Sequence, residues 1–183
     1  MGPIGKIIDW ILSITQEKFE NYQLQDKPSF YYPYTELINE FNNTQGLWYG
    51  IDFKKNGKEV LSSMLESLSY WFKYWLYKYQ EAFNIKINEI KLSGGLSKSN
   101  TFTQLKANIH QQKLTIYKNP DLSLVGAALI SGVCANIYES WIDVSKKINI
   151  DSNIIFPVEN SKKYYEDNFN AYFDILKNLN TYG

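Results

Sequence analysis

The sequence of 183 residues predicts an α/β domain, a mixed sheet flanked by helices. Three observations carry this. In the second half, short strand-like runs alternate with helix-like stretches, the order that builds layered α/β structures. Between Lys58 and Phe83, the residues Leu61, Leu65, Leu68, Phe72, Trp75, Tyr79 and Phe83 recur at spacings of three and four, one stripe of a long helix. A strand-like run, Glu89 to Ser93, then stops at two adjacent glycines, Gly94 and Gly95, just ahead of a new helical pattern. Strands at 46–51, 89–93 and 114–116 are expected to share one sheet.

In chain order, Pro3 to Phe19 reads as a first helix with Ile4, Ile7, Ile8, Ile11 and Leu12 on one face. Asn21 to Asn43 reads as a loop-rich passage, with Pro28, Pro33 and a cluster of tyrosines. "QGLWYGID", Gln45 to Asp52, is a short strand ahead of the Asn56-Gly57 turn. The long helix follows, its aromatics expected to pack in the core. After the glycines a helix from Lys98 to Asn108 turns Phe102, Leu105 and Ile109 inward. Leu114 to Ile116 is a strand and Asn119 to Asp121 a loop. Ser123 is read as the N-cap of "LVGAALISGVCANI". Two more helical stretches close the chain. The last, Ser161 to Leu179, carries Tyr164, Tyr165, Phe169, Tyr172, Phe173 and Leu176 at helical spacing.

Composition narrows the function. Apolar residues make up 44% and charged residues 21%, the range of a globular protein with a real core. Lys+Arg and Asp+Glu are both 19, so the basic surplus of a nucleic-acid binder is missing. One cysteine, Cys134, builds neither a disulfide framework nor a cysteine metal site, in keeping with a reducing, cytoplasmic setting. Ile4 to Ile14 is broken by Lys6 and Asp9 and makes a poor signal peptide. The aromatic run Ser69 to Phe83 holds Lys73, Lys78 and Glu81, too polar for a membrane span.

The double glycine has two readings. Gly94 and Gly95 either make a tight turn or leave the backbone bare for a flat ligand. G-x-x-x-x-G-K-[ST], G-x-G-x-x-G and G-x-S-x-G are all absent around it. What stands there is a strand, Ser-Gly-Gly, and a helix start whose N–H groups face forward. About thirty residues on, Gly126-Ala127-Ala128 keep one helix face nearly bare. Composition leaves nucleotide binding and close helix–strand packing both open.

"INEIKLSGGLSKSNTFTQLKANI" followed by "NPDLSLVGAALISGVCANIYES" resembles the carboxy-terminal domain of the FGGY carbohydrate kinases, among them glycerol kinase and xylulokinase. Gly94, Gly95, Ser99 and Gln104 match that family's adenosine motif, and Val125 to Ala128 its "L-G-A-A" helix start. "QGLWYGIDFKKNGKEVLSSMLESLSYWF" is similar to a family strand and long helix with an acidic residue near its middle, here Glu66. "IIFPVENSKKYYEDNFNAYFDIL" resembles the family's closing helix. Asn108 stands where an aspartate is usual, and Gln45 where an arginine often lies.

The resemblance implies an actin-like ATPase, or ribonuclease H-like, domain over 1–183. It also implies ATP beside Gly94, Gly95, Ser99 and Gly126, with Mg²⁺ and a sugar or polyol substrate in the intact enzyme. The family's amino-terminal domain supplies a D-x-G-[ST] phosphate hairpin and an aspartate base. Neither the motif nor the family's G-[EN]-R substrate loop occurs in this sequence. "MGPIGKIIDWIL" resembles a point already inside the second domain, so the amino-terminal catalytic domain is expected to be absent and no catalytic residue is assigned. Asp9 matches no catalytic position.

Among other candidates, His110 is expected at the surface at a helix end, and Cys134 as a small buried hydrophobe. Asp52, Glu59 and Glu66 are too scattered for a metal site, and Lys98 is read as solvated. Three functions compete: the nucleotide-binding half of a carbohydrate kinase, a non-catalytic remnant or interaction module, and a half that works with a separate amino-terminal chain. The sugar is not named by this sequence.

Overall fold

A computed structural model describes residues 4–33, 46–118, 121–147 and 150–181. Gln45, Asn119, Pro120 and the 21–43 passage from Tyr34 onward lie outside them. The elements run α1 (Ile4–Thr15), β1 (Phe30–Tyr32), β2 (Leu47–Tyr49), α2 (Gly57–Phe83), β3 (Ile90–Leu92), α3 (Asn100–His110), β4 (Leu114–Tyr117), α4 (Leu122–Cys134), α5 (Trp141–Lys147), β5 (Ser152–Ile155) and α6 (Lys162–Thr181).

α2 is the axis of the fold. It starts in a capping box, in which the Glu59 N–H donates to Asn56 Oδ1 at 3.1 Å and the Asn56 N–H to Glu59 Oε2 at 3.0 Å. It ends at Asn84 in the left-handed region, φ 49°. Its 27 residues give a length of about 40 Å. Every residue from Leu61 to Trp71 is buried, so the helix is covered all round at its centre. The expected stripe weakens towards the end, where Trp75, Tyr79 and Phe83 are exposed.

Around α2 lies one core of Ile8 and Ile11 from α1, Phe30 and Tyr32 from β1, Phe102, Leu105 and Ile109 from α3, and Tyr165, Tyr172 and Leu176 from α6. A second, smaller core joins Ile90, Ala107, Leu114 and Ile116, with Phe72 and Leu76 of α2 against it.

The strands do not share one sheet, which corrects the expectation. β1 and β2 pair antiparallel in a two-stranded sheet, with Tyr31 opposite Trp48. β3, β4 and β5 form a separate three-stranded mixed sheet, β3 parallel to β4 and β4 antiparallel to β5. The reason lies in β1, read from the sequence as loop. All three of its residues are buried against α2, and the Tyr31 N–H donates to the Ser67 hydroxyl at 2.9 Å. A helix serine here takes the donor that a neighbouring strand would otherwise satisfy. Ser29 Oγ reaches Ser63 Oγ at 2.9 Å, and the Gln23 N–H reaches Ser62 Oγ at 3.0 Å. Small residues on α2 let the incoming chain close on it.

Candidate functional site

The turn after β3 is built residue by residue. Gly94 has φ 93° and ψ −176°, a conformation open in practice only to glycine. Its carbonyl accepts from the Ser97 N–H at 3.2 Å and the Ser97 hydroxyl at 2.7 Å, closing a 3-10 turn over Gly95–Lys98. Ser99 follows as the N-cap of α3, its hydroxyl oxygen accepting from the Phe102 N–H at 3.3 Å. Ser99 is thus engaged in holding the helix, while the N–H groups of Asn100 and Thr101 head it with no intrahelical carbonyl before them.

The two glycines differ in what accounts for them. Backbone angle explains Gly94. Gly95 has no positive φ, and a Cβ built on it would meet nothing within 4 Å. The same is true of Gly126 in α4. By contrast, a Cβ on Gly132 would strike the Tyr138 ring at 2.6 Å, so that glycine serves packing. Packing within the described chain therefore requires no glycine at 95 or 126.

Topology brings these bare positions to one end of the sheet. β3 and β4 are parallel, and α3 and α4 each begin beyond a carboxyl end of one of them. Ligands of open α/β sheets bind at that end. α4 starts at Leu122 with Asp121 as its N-cap, so Ser123 lies inside the first turn rather than capping it. Gln104 serves another purpose. Its amide donates to Asn108 Oδ1 at 3.0 Å and to the Phe156 carbonyl at 2.8 Å, while the Val158 N–H donates to the same Asn108 oxygen at 2.9 Å. Together they button α3 to the segment before α6.

Two other expectations change, and one residue was missed. His110 is buried, edge-on to the Phe72 ring at 5.4 Å, and burial with Lys106 and Lys73 nearby holds its imidazole well below the usual range. Its neighbours Gln111, Gln112 and Lys113 suggested solvent, but α2 covers it. Cys134 is exposed, because α4 turns much of its apolar surface outward: Leu124 and Ile130 are exposed too. Lys106, which the sequence did not single out, lies over the Phe72 ring at 4.5 Å, and burial lowers its ammonium to about 8.

Glu66 is the chief polar group of the core. Its carboxylate accepts from Tyr22 at 2.8 Å, Tyr164 at 3.1 Å and Tyr70 at 3.2 Å, and Tyr22 also touches the Tyr165 hydroxyl at 2.8 Å. Burial raises its pKa to about 7, against the opposing pull of those three hydroxyls and of Lys55. Its place near the middle of the long helix was legible. Its tyrosine partners, far off in sequence, were not.

Residues 5–135 match the FGGY family of carbohydrate kinases, C-terminal domain. The chain belongs to that family. It is 21% identical over 136 residues to a glycerol kinase of Listeria welshimeri, covering 74% of this chain and 27% of that protein. It is 28% identical over 138 residues to a probable L-xylulose kinase of Haemophilus influenzae, with the same coverage of each. The chain thus spans about a quarter of the length of these relatives.

Among solved structures, a xylulose kinase of Rhodospirillum rubrum superposes over 97% of this chain and 38% of its own, with a TM-score of 0.75 and 15% identity. A Plasmodium falciparum glycerol kinase solved with ADP gives a TM-score of 0.72 over 96% of this chain and 37% of its own, also at 15% identity. The fold is the α/β actin-like ATPase type of the FGGY kinases. Carbohydrate kinases of this family use ATP. For Mg²⁺, no three His, Cys, Asp or Glu side chains gather among the described residues, so they offer the ion no cage. No helix among them is long and apolar enough to cross a membrane.

Proposed function

We propose that this domain is the nucleotide-binding half of an ATP-dependent carbohydrate kinase, with adenine lying against Gly94 and Gly95, near Ser99, and Gly126 closing the other side. The observation that supports this most is Gly95, a glycine that neither backbone angle nor packing requires, at the carboxyl end of a parallel strand. A flat ring lies against such a backbone without meeting a Cβ. The head of α3 suits the negative phosphates, through its N–H groups and dipole.

In this reading the phosphate hairpin, the general base and the contacts that hold Mg²⁺ come from a second domain across a cleft. The acceptor is the hydroxyl of a sugar or polyol, and the setting is the cytoplasm, where a free cysteine such as Cys134 stays reduced. The domain's own task is positioning, which is most of what phosphoryl transfer asks of a protein.

Calorimetric titration of ATP into the chain tests the reading. Gly95→Val should keep the fold, because the added side chain enters open space, and should lower affinity at least about tenfold, a loss of roughly 1.4 kcal/mol. Equal affinity in the two chains would remove adenine from this turn. No ATP binding by either would favour a non-catalytic interaction module, for which the exposed apolar residues Leu124, Ile130, Ile137, Trp141 and Ile142 supply the surface.

A further inference from the structure

We propose that Glu66 is a proton-responsive positioning residue for the nucleotide site, acting through Tyr22 on the start of α3. The inference rests on adenine lying at the Gly94–Ser99 turn, and it adds a means of regulating that site.

Two routes of contact lead from the carboxyl to α3. Tyr22 donates to Glu66 and directly follows the 3-10 turn Phe19–Asn21. Phe19 in that turn packs on Phe102, ring centroids 6.0 Å apart. Phe102 is the residue whose N–H the Ser99 hydroxyl caps, so the turn bears on the cap itself. The second route runs from Tyr22 to the Tyr165 hydroxyl at 2.8 Å, and the Asn108 side chain stands beside that hydroxyl. Asn108 is the residue that buttons α3 to Val158.

The chemistry makes the cluster two-state. An ionised Glu66 only accepts, and it can take the O–H groups of Tyr22, Tyr70 and Tyr164 together. A protonated Glu66 carries its own O–H, which must point at one of these oxygens. If it points at Tyr22, the Tyr22 proton turns away to Tyr165 and the direction of the chain reverses. The carboxylate form holds Tyr22, and so the Phe19 turn, by a charge-assisted bond, whereas the acid form holds it less tightly.

The groups facing Glu66 are Tyr70 on its own helix, Tyr22 on the preceding segment, Tyr164 and Tyr165 on α6, and Lys55 from the turn before α2. Burial keeps the tyrosines protonated well above neutrality. The carboxyl, raised to about 7, is the member of this set that changes charge near neutral pH. Lys55 is spoken for by Gln25 Oε1 at 3.1 Å and the Lys27 carbonyl at 2.7 Å.

The experiment measures adenosine binding between pH 6 and 8, since adenosine carries no phosphate to titrate there. Amide hydrogen exchange at Phe102 and Thr103 in the free chain is followed alongside, corrected for intrinsic pH dependence. Wild type should bind about fivefold more tightly at pH 8 than at pH 6, at the lower end of ordinary coupling between sites. The two amides, at the helix start where exchange proceeds by local opening, should gain protection in step even as global stability falls over this range.

Glu66→Gln should flatten both profiles. Tyr22→Phe should flatten them too while leaving the carboxyl in place, which separates the linkage from a general loss of fold. Binding and protection in wild type that are level across this range, or profiles that persist in both variants, would overturn the proposal. If no chain binds adenosine, the placement of the nucleotide fails, and the exchange profiles still decide whether Glu66 governs the start of α3.

Discussion

Gly94 and Gly95 are neighbours that answer to different forces, and substitution can part them. At Gly94 a side chain must adopt φ 93° with an extended ψ, so Gly94→Ala should cost about 1–3 kcal/mol of stability in a urea titration. Gly95→Val should leave that midpoint unchanged and act on ATP affinity alone. Glu66 adds a pH signature. The unfolded chain loses this proton near 4.5 and the folded chain near 7, so the folded form holds the extra proton between those values. Raising the pH from 5 to 7 therefore weakens the fold, by roughly 2 kcal/mol if the carboxyl stays buried. Glu66→Gln should remove that slope from denaturation midpoints measured across the range. At this scale the sequence showed the two glycines and the acid. It could not show which glycine is forced by its backbone, since that depends on angles, nor which hydroxyls meet the acid, since Tyr22 and Tyr164 approach from opposite ends of the chain.

Elements were legible where a pattern spans several turns. The leucine stripe marked α2, and Phe102, Leu105 and Ile109 marked α3. Short strands escaped. β1 is three residues long, lies between Pro28 and Pro33, and is buried without alternation because helices rather than solvent lie around it. β5 is a four-residue edge whose first three residues are exposed. What fixes β1 is the serine face of α2, and this can be tested. Ser67→Ala strands the buried Tyr31 N–H and should cost about 1–3 kcal/mol. Ser69→Ala is the control, because that hydroxyl only returns to the Leu65 carbonyl within the same helix, and it should cost well under about 1 kcal/mol. Equal losses in chemical denaturation would show that strand and helix are held by something other than that bond.

At the scale of the whole molecule, membership of the FGGY carbohydrate kinase family was legible because the glycine turn and the "GAA" helix match the family in both residues and spacing. The split into two sheets was not, since pairing depends on which strands meet rather than on what each contains. For activity, the chain alone should give no sugar-dependent ATP consumption across a panel of polyols and ketoses. Neither the phosphate hairpin nor the base appears in its sequence, and general-base help alone contributes typically about 10²–10⁴-fold. Mixing it with an amino-terminal kinase half should restore turnover, and robust turnover by the chain alone would overturn this division of labour.

α2 also governs how the domain comes apart. It borders both cores, with Leu61, Leu65 and Leu68 in one and Phe72 and Leu76 against the other. Neither core can melt without stripping a face from the helix that the other needs, which couples them into one cooperative unit. α4 has no such tie, since much of its apolar surface faces outward. The α4 edge can therefore breathe at low cost while the scaffold around α2 opens only as a whole.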